Sequence, residues 1–323
     1  MEEEEIIYFN HLDFRDTMKK PIKICVTGGK GGTGKTLVAI NLAVMFRDNG
    51  KKILLLDGDV ENPNTYLLLG TDLENGENVH FFIPKVNEDK CTKCGLCAKN
   101  CASNAILFVK DAYPIIIPNV CSGCKLCYKI CPVNAIEENS KIIGKIYEKK
   151  LENMALFVGE LKVSEARSAV IVEEAISKLN ARLEKNNDEF DIIIYDTAPG
   201  AHCDVEKLIK EADLVIPVTE PTPFGKLDLM RIIELIELME KKYKVIINRS
   251  SLLGFKDDFI KELKEKKIDI LGEIPLDQEI VNSYCQGIPL MAKNSPYDME
   301  SPGAKAFENI FSKLNEWVKD YGE

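Results

Sequence analysis

Four residues, Gly29, Gly34, Lys35 and Thr36, meet the spacing GxxxxGK[ST] inside the stretch IKICVTGGKGGTGKT that runs from Ile22 to Thr36. An apolar run ending at Val26 precedes them, and an apolar-periodic segment from Leu37 to Phe46 follows. The pattern therefore lies between a strand and a helix, the context in which such a loop cradles phosphate. Backbone N–H groups from Gly29 through Lys30, Gly31, Gly32, Thr33 and Gly34 can turn inward on a polyanion, and the helix that begins there adds its positive dipole end. In this reading Lys35 holds the β and γ phosphates and Thr36 ligates Mg²⁺ through its hydroxyl. A plain glycine-rich turn is the alternative, and both flanks disfavour it. Asp196, closing the apolar strand Phe190 to Tyr195, is placed like a carboxylate that orders Mg²⁺ through water. Asp57 and Asp59 follow an earlier strand in the same way.

A second set of residues points to metal. Cys91, Cys94, Cys97 and Cys101 form CxxCxxCxxxC, and Cys121, Cys124, Cys127 and Cys131 repeat it, with Pro132 following. Disulfides are not expected in a reducing compartment. Zinc sites usually pair cysteines as two separated CxxC knuckles, so the third step and the repeat favour iron and sulfur. The spacing resembles that of bacterial two-cluster ferredoxins, in which three close thiolates take one cubane and the fourth crosses to the other. That resemblance assigns one [4Fe-4S] cluster to Cys91, Cys94, Cys97 and Cys131, and a second to Cys121, Cys124, Cys127 and Cys101. Ala102 departs from the pattern, standing where proline is usual, a change expected to shift that cluster's potential without removing it. Residues 80–150 carry 11 Lys against 6 Asp and Glu, a basic segment in an otherwise acidic chain.

The loop KGGTGKT, with Lys30 ahead of the ordinary lysine, resembles the deviant Walker A loop of MinD/ParA/Mrp ATPases and of the nitrogenase iron protein. The resemblance implies a nucleotide-sandwich dimer in which Lys30 reaches the partner's nucleotide; Lys30, Lys35 and Asp59 then carry catalysis. DTAPG from Asp196 is similar to this class's switch II, with Gly200 near the γ-phosphate, and DGDVENPN to its switch I, with Asp59 positioning the attacking water. Asn248 resembles the purine-reading asparagine; Ser251 stands where guanine-specific loops carry aspartate, so ATP is expected. Cys203 lies seven residues after Asp196, a spacing at which the nitrogenase iron protein ligates its shared cluster, but no cysteine stands near Ser164 to supply the second ligand. A packed or exposed thiol is the alternative for Cys203, and His202 beside it is a weaker ligand candidate. Cys25 reads as core, and Cys285 has no sequence partner.

These residues need elements to position them. Strands are expected at Lys52 to Leu56, Met154 to Gly159, Phe190 to Tyr195, Leu214 to Val218, Lys244 to Ile247 and Ile268 to Leu271. Helices are expected at Ser164 to Leu183, Lys226 to Glu240 and Asp257 to Lys266. Alternation of this kind gives an α/β fold, a mostly parallel sheet with helices on both faces, whose ligands sit at the carboxyl ends of the strands. The expected domains are a tail or arm at 1–20, an ATPase domain at 21–79 and 151–323, and an inserted small α+β ferredoxin-like domain at 80–150. A last helix, about Gly303 to Tyr321, has one apolar face. Its polar face lacks the basic excess an anionic membrane favours, so core packing is expected.

Net charge of −10 argues against nucleic acid as a partner. The start MEEEE and the lack of a long apolar run point to a cytoplasmic chain with no membrane span. Together the two resemblances suggest MinD-like ATPases with an inserted ferredoxin domain. Three functions stay open. One couples ATP to electron transfer toward a metalloprotein or a cofactor under assembly, as a homodimer or a heterodimer with a paralogue. The others are an ATP-gated metallocluster scaffold or chaperone, and a positioning switch with structural clusters.

Overall fold

The computed structural model describes residues 20–185, 190–252 and 254–322; of the expected N-terminal tail or arm, 1–19 lie outside the described residues. The chain runs β1 (Ile22–Thr27), α1 (Lys35–Asp48), β2 (Ile53–Gly58), α2 (Thr65–Leu68), β3 (Glu77–Val86), α3 (Leu96–Lys99), β4 (Ile106–Leu107), β5 (Ile115–Ile116) and α4 (Leu126–Lys129). It continues with β6 (Ile136–Leu151), β7 (Met154–Leu161), α5 (Ser168–Lys185), β8 (Ile192–Thr197), α6 (Cys203–Glu211), β9 (Leu214–Thr219) and α7 (Pro223–Leu238). β10 (Lys242–Tyr243), β11 (Val245–Ile247), α8 (Lys256–Glu265), β12 (Ile270–Glu273), α9 (Gln278–Gln286) and α10 (Pro302–Gly322) complete it.

The main sheet has the order β12-β11-β9-β1-β8-β2-β7-β6-β3, with β10 also on β9. From β12 to β7 every pairing is parallel. Strands such as ILLLDG in β2 and IIIYDT in β8 are buried at every position, because helices cover both faces of a parallel sheet. All their carboxyl ends therefore open on one edge.

β6 turns back antiparallel on β7, and β3 pairs antiparallel with β6. In β3 the inward Val79, Phe81 and Ile83 are buried while His80 and Phe82 between them are exposed and half-buried, the period-two pattern of a half-covered edge. The cysteine-rich segment hangs between these two strands, its base closed by the bond from Asn87 N–H to the Ala135 carbonyl (2.7 Å). Inside it, Cys97, Ile106 and Ile136 form a small buried core of their own.

α1 lies under the sheet's centre, with Leu37 through Phe46 buried. α10 closes that side: Phe307, Ile310, Phe311, Leu314 and Val318 are buried, and Phe311 meets Phe46 edge to face at 4.8 Å. Full burial of such side chains contributes roughly 1.5–3 kcal/mol each, which holds α10 on the core. Among the described residues, no helix is long and apolar enough to cross a membrane.

Candidate functional site

The phosphate loop leaves β1 and is shaped by close approach as much as by flexibility. A Cβ on Gly29 would stand 2.5 Å from the Asp228 carbonyl oxygen on α7. Gly34 has φ +97°, and a Cβ there would meet the Asn248 side-chain nitrogen at 2.3 Å, so glycine alone fits. Lys35 is buried and donates to the Lys30 carbonyl at 3.3 Å. Its ammonium is held below the usual lysine range by burial, with Asp196 and Asp59 opposing that shift. Thr36 lines the same cleft, a cavity of about 710 Å³ that also takes in Gly31, Gly32, Asp59, Asn248 and Arg249. Its far wall is apolar, with Pro275, Leu276, Ile280, Val281 and Tyr284.

Three carboxylates meet across neighbouring strand ends. Asp57 of β2 and Asp196 of β8 are register partners, both fully buried. Asp57 is satisfied: it accepts from the amides of Asp59 (3.1 Å), Asn64 (3.0 Å) and Thr65 (3.0 Å) and from the Thr65 hydroxyl (2.8 Å). Neither oxygen of Asp196 has a hydrogen-bond partner among the described residues. Burial, and then the charge of Asp57, raise its proton affinity well above the carboxylate norm; the nearby Thr36 hydroxyl offsets part of this without forming a well-directed bond. A buried, unpartnered carboxylate beside Lys35 and Thr36 is costly unless a cation or its water shell completes it.

Asp59 is pushed up to about 6, first by burial and then by Asp57, against the pull of Lys35. A carboxyl that binds its proton more tightly folded than unfolded stabilises the fold below the ordinary value of 3.8, and that contribution is lost as pH rises through about 6. Asp57 and Asp196 shift in the same direction. Melting of the nucleotide-free protein should therefore fall between pH about 4 and about 7, with a flatter profile in Asp59→Asn. A melting temperature that rises across this window would contradict the assignment.

Sequence reasoning left one partner of this site, Glu220, without a role and gave another, Asn248, only a base-reading one. Glu220, after β9, is buried and pairs with Lys30 at 3.4 Å and with Arg249. Asn248 donates to the Thr33 carbonyl at 2.7 Å and accepts from the Arg249 amide at 2.9 Å, so its amide braces the loop. The signal for Glu220 was its place directly after a buried strand; nothing in the sequence says which cation it meets.

In the cysteine segment, Cys91, Cys94 and Cys97 line one cavity together with Cys131, and Cys101 is not among its walls. The two repeats match beyond their thiols. Lys93 and Gly123, and again Gly95 and Lys125, occupy equivalent positions and all have positive φ. CASNAI after Cys101 and CPVNAI after Cys131 make the same turn: the amides of Ala105 and Ala135 each donate to the preceding cysteine sulfur at 3.2 Å. The turn thus forms alike with Ala102 or Pro132. Burial pushes the Cys101 and Cys131 thiols up, but surrounding hydrogen bonds, from Ser103 and Ala105 at Cys101 and from Ala135 and Val133 at Cys131, leave both below the usual range. Burial raises Cys97, and raises Cys127 to about 11. Cys94 and Cys124 are exposed. Among the described residues, no three His, Cys, Asp or Glu side chains converge closely enough for a single metal ion.

Residues 24–290 match the CobQ/CobB/MinD/ParA nucleotide binding domain, CbiA. The chain belongs to this family. It is a MinD/ParA-type P-loop ATPase. The uncharacterized protein MJ0579 of Methanocaldococcus jannaschii is 38% identical over 278 residues, covering 86% of this chain and 94% of that protein. An iron-sulfur cluster carrier protein of Pyrococcus abyssi is 25% identical over 92% of this chain and 87% of its own. In structure, the septum site-determining protein MinD of Pyrococcus horikoshii, complexed with Mg-ADP, superposes with TM-score 0.55 at 20% identity, over 92% of this chain and 97% of that one. That likeness carries the α/β fold of this MinD-type ATPase.

The other isolated residues separate clearly. Cys25 is fully buried in β1. His202 lines the nucleotide cleft, while Cys203 and Cys285 are exposed. Arg167, unremarked in the sequence, donates to the carbonyls of Pro118 (2.5 Å) and Cys121 (3.1 Å).

Proposed function

We propose that this ATPase works as a dimer, holds two [4Fe-4S] clusters between residues 87 and 135, and couples ATP turnover to electron delivery to a metalloprotein or a cofactor under assembly. The observation that carries the reading is Cys131 lining one cavity with Cys91, Cys94 and Cys97, which is the crossed ligand set. The donor chemistry fits: four cysteine thiolates are the ligand set of a [4Fe-4S] cubane, and these four cysteines line one cavity. Bound clusters supply one-electron chemistry at potentials set by charge, hydrogen bonds and exposure. Cys121, Cys124 and Cys127 with Cys101 would hold the second. The amides on Cys101 and Cys131 favour the thiolate that ligation needs.

On the nucleotide side, the unpartnered oxygens of Asp196 and the Thr36 hydroxyl fit a hydrated Mg²⁺. Gly29 to Gly34 wrap the phosphates, Lys35 neutralises them, and Asp59 orients the attacking water. Lys30, paired with Glu220 in the single chain, serves the partner's nucleotide across the dimer. Asn248, which lines the cleft, would read the purine, and Ser251, where guanine-specific loops carry aspartate, leaves ATP as the expected nucleotide.

A second reading, ATP-gated transfer of a cluster to a client, is favoured by the exposure of Cys94 and Cys124 and by the Pyrococcus carrier relative. One experiment separates the two. Dithionite-reduced protein, kept anaerobic, is followed by electron paramagnetic resonance through a potential titration with ADP and then with a non-hydrolysable ATP analogue. Reversible cycling of about eight irons per chain, four per cluster, with a nucleotide-dependent shift in potential or spin coupling, is expected for the electron carrier. Iron lost to a chelator when the analogue is added would instead support the transfer role, and signals blind to nucleotide would sink the coupling.

A further inference from the structure

We infer that the strap 162–167, between β7 and α5, relays the state of the nucleotide site to the Cys121 side of the cysteine segment, with Arg167 as its positioning residue. The inference deepens the proposed function and rests on it for the role of Cys121. It starts at switch I. Val60, next to Asp59, is buried, and its carbonyl accepts from the Leu161 amide at 2.7 Å. A Cβ on Gly159 would meet the Val60 side chain at 2.7 Å and Ile171 of α5 at 3.0 Å. Movement of the loop that holds Asp59 must therefore move the end of β7.

The strap then crosses to the cysteine segment. Lys162 N–H bonds the Ile143 carbonyl of β6 at 2.8 Å, and Ser164 turns the chain with φ 67°. This left-handed residue is why the helix expected from Ser164 begins only at Ser168. Glu165, its side chain 4% exposed, pairs with Lys141 at 3.0 Å and with Arg167. The guanidinium of Arg167 lies 4.5 Å from the centre of the Phe81 ring and donates to the Pro118 and Cys121 carbonyls. Phe81 in turn packs on Gly123, where a Cβ would stand 2.5 Å from the ring. One fork thus grips the backbone on both sides of the turn into the second cysteine repeat.

The geometry is suited to transmission. The end of β7 bonds switch I, and the strap that continues it has two contacts with β6, through Lys162 and Glu165, and a buried ion pair aimed at the far segment, with no flexible linker between them. A planar guanidinium holding two carbonyls and a ring has one good position, so a shift of its backbone must pull those carbonyls or break the grip. A contiguous network of this sort carries coupling when both ends bias the same element.

Amide hydrogen exchange read by mass spectrometry on the anaerobically isolated protein tests this, with iron measured on the same sample. Exchange is compared with ADP and with a non-hydrolysable ATP analogue. Residues 161–163 and 118–123 are expected to change together, on the order of tenfold at the second segment, the equivalent of a charge-assisted bond made or lost. In Arg167→Ala the change at 161–163 should persist and that at 118–123 vanish. Arg167→Lys, which keeps the charge and loses the fork, should retain only a fraction and guards against a misfolded alanine variant. If 118–123 exchange alike in both nucleotide states of the unaltered protein, or if their response survives in Arg167→Ala, the relay is wrong. A normal relay in a sample without iron would leave the inference standing and overturn the cluster assignment; full iron with no relay would do the reverse.

Discussion

Asp196→Asn is expected to lower Mg²⁺-dependent ATP turnover by roughly a hundred- to a thousandfold, the usual cost of losing a preorganised electrostatic group at a phosphoryl-transfer site. The same substitution should stabilise the nucleotide-free chain. Asp196 is buried with both oxygens unpartnered among the described residues, and it is the register partner of Asp57 on the adjacent strand. At a pH high enough to ionise it, removing its charge at constant shape relieves both desolvation and like-charge repulsion, worth about 1–2 kcal/mol by comparison with other buried charges left unpaired. The two effects have opposite signs, and the difference is diagnostic. Turnover and thermal melting, each measured with and without Mg²⁺, would show it. If Asp196→Asn melted lower than the parent without Mg²⁺, the carboxylate would have a structural partner, and the cation site would have to be sought elsewhere.

Cys131→Ala and Cys101→Ala should each remove about half of the iron, four of eight atoms, yet strip different clusters. Cys131 shares its cavity with Cys91, Cys94 and Cys97, although it follows Cys121, Cys124 and Cys127 in sequence. Its loss should therefore resemble loss of Cys94 in the reduced spectrum, and the double variant Cys94→Ala with Cys131→Ala should be no worse than either alone. Cys101→Ala should instead pair with Cys124→Ala. Iron content and electron paramagnetic resonance of the four single and two double variants decide it. Should Cys101→Ala and Cys94→Ala behave as one pair, each repeat binds its own cluster and the crossed assignment fails.

The spacing of Gly29, Gly34, Lys35 and Thr36 needed no structure to be understood, because a phosphate loop is a local object: strand, turn and helix are contiguous in the chain. The long apolar strands were legible for the same reason. FDIIIY can be buried only between two layers, and β8 (Ile192–Thr197) is buried at every position. Elements whose stability comes from distant contacts were harder. The short helix α6 (Cys203–Glu211) alternates too many charges to stand out, and α9 (Gln278–Gln286) is fixed by Asp277, which caps its own helix at Glu279 and also holds Gly303 across the fold. The pair β3 and β6 was hidden because one face of each is polar, so neither carries the continuous apolar run of a parallel strand.

By itself the sequence determined the α/β alternation, the phosphate loop, the two cysteine repeats and the convergence of Asp57, Asp59 and Asp196 on one sheet edge, since each follows from short-range periodicity or from the rule that parallel strands share their carboxyl ends. Tertiary structure alone decided which charges meet. That Lys30 pairs with Glu220 across 190 residues, that Asp196 has no hydrogen-bond partner among the described residues while Asp57 accepts four bonds, and that Arg167 grips Cys121 are outcomes of packing. Electrostatic and hydrogen-bonding partners act over a few ångströms in space, and no local pattern in the chain records distances closed only when the sheet assembles.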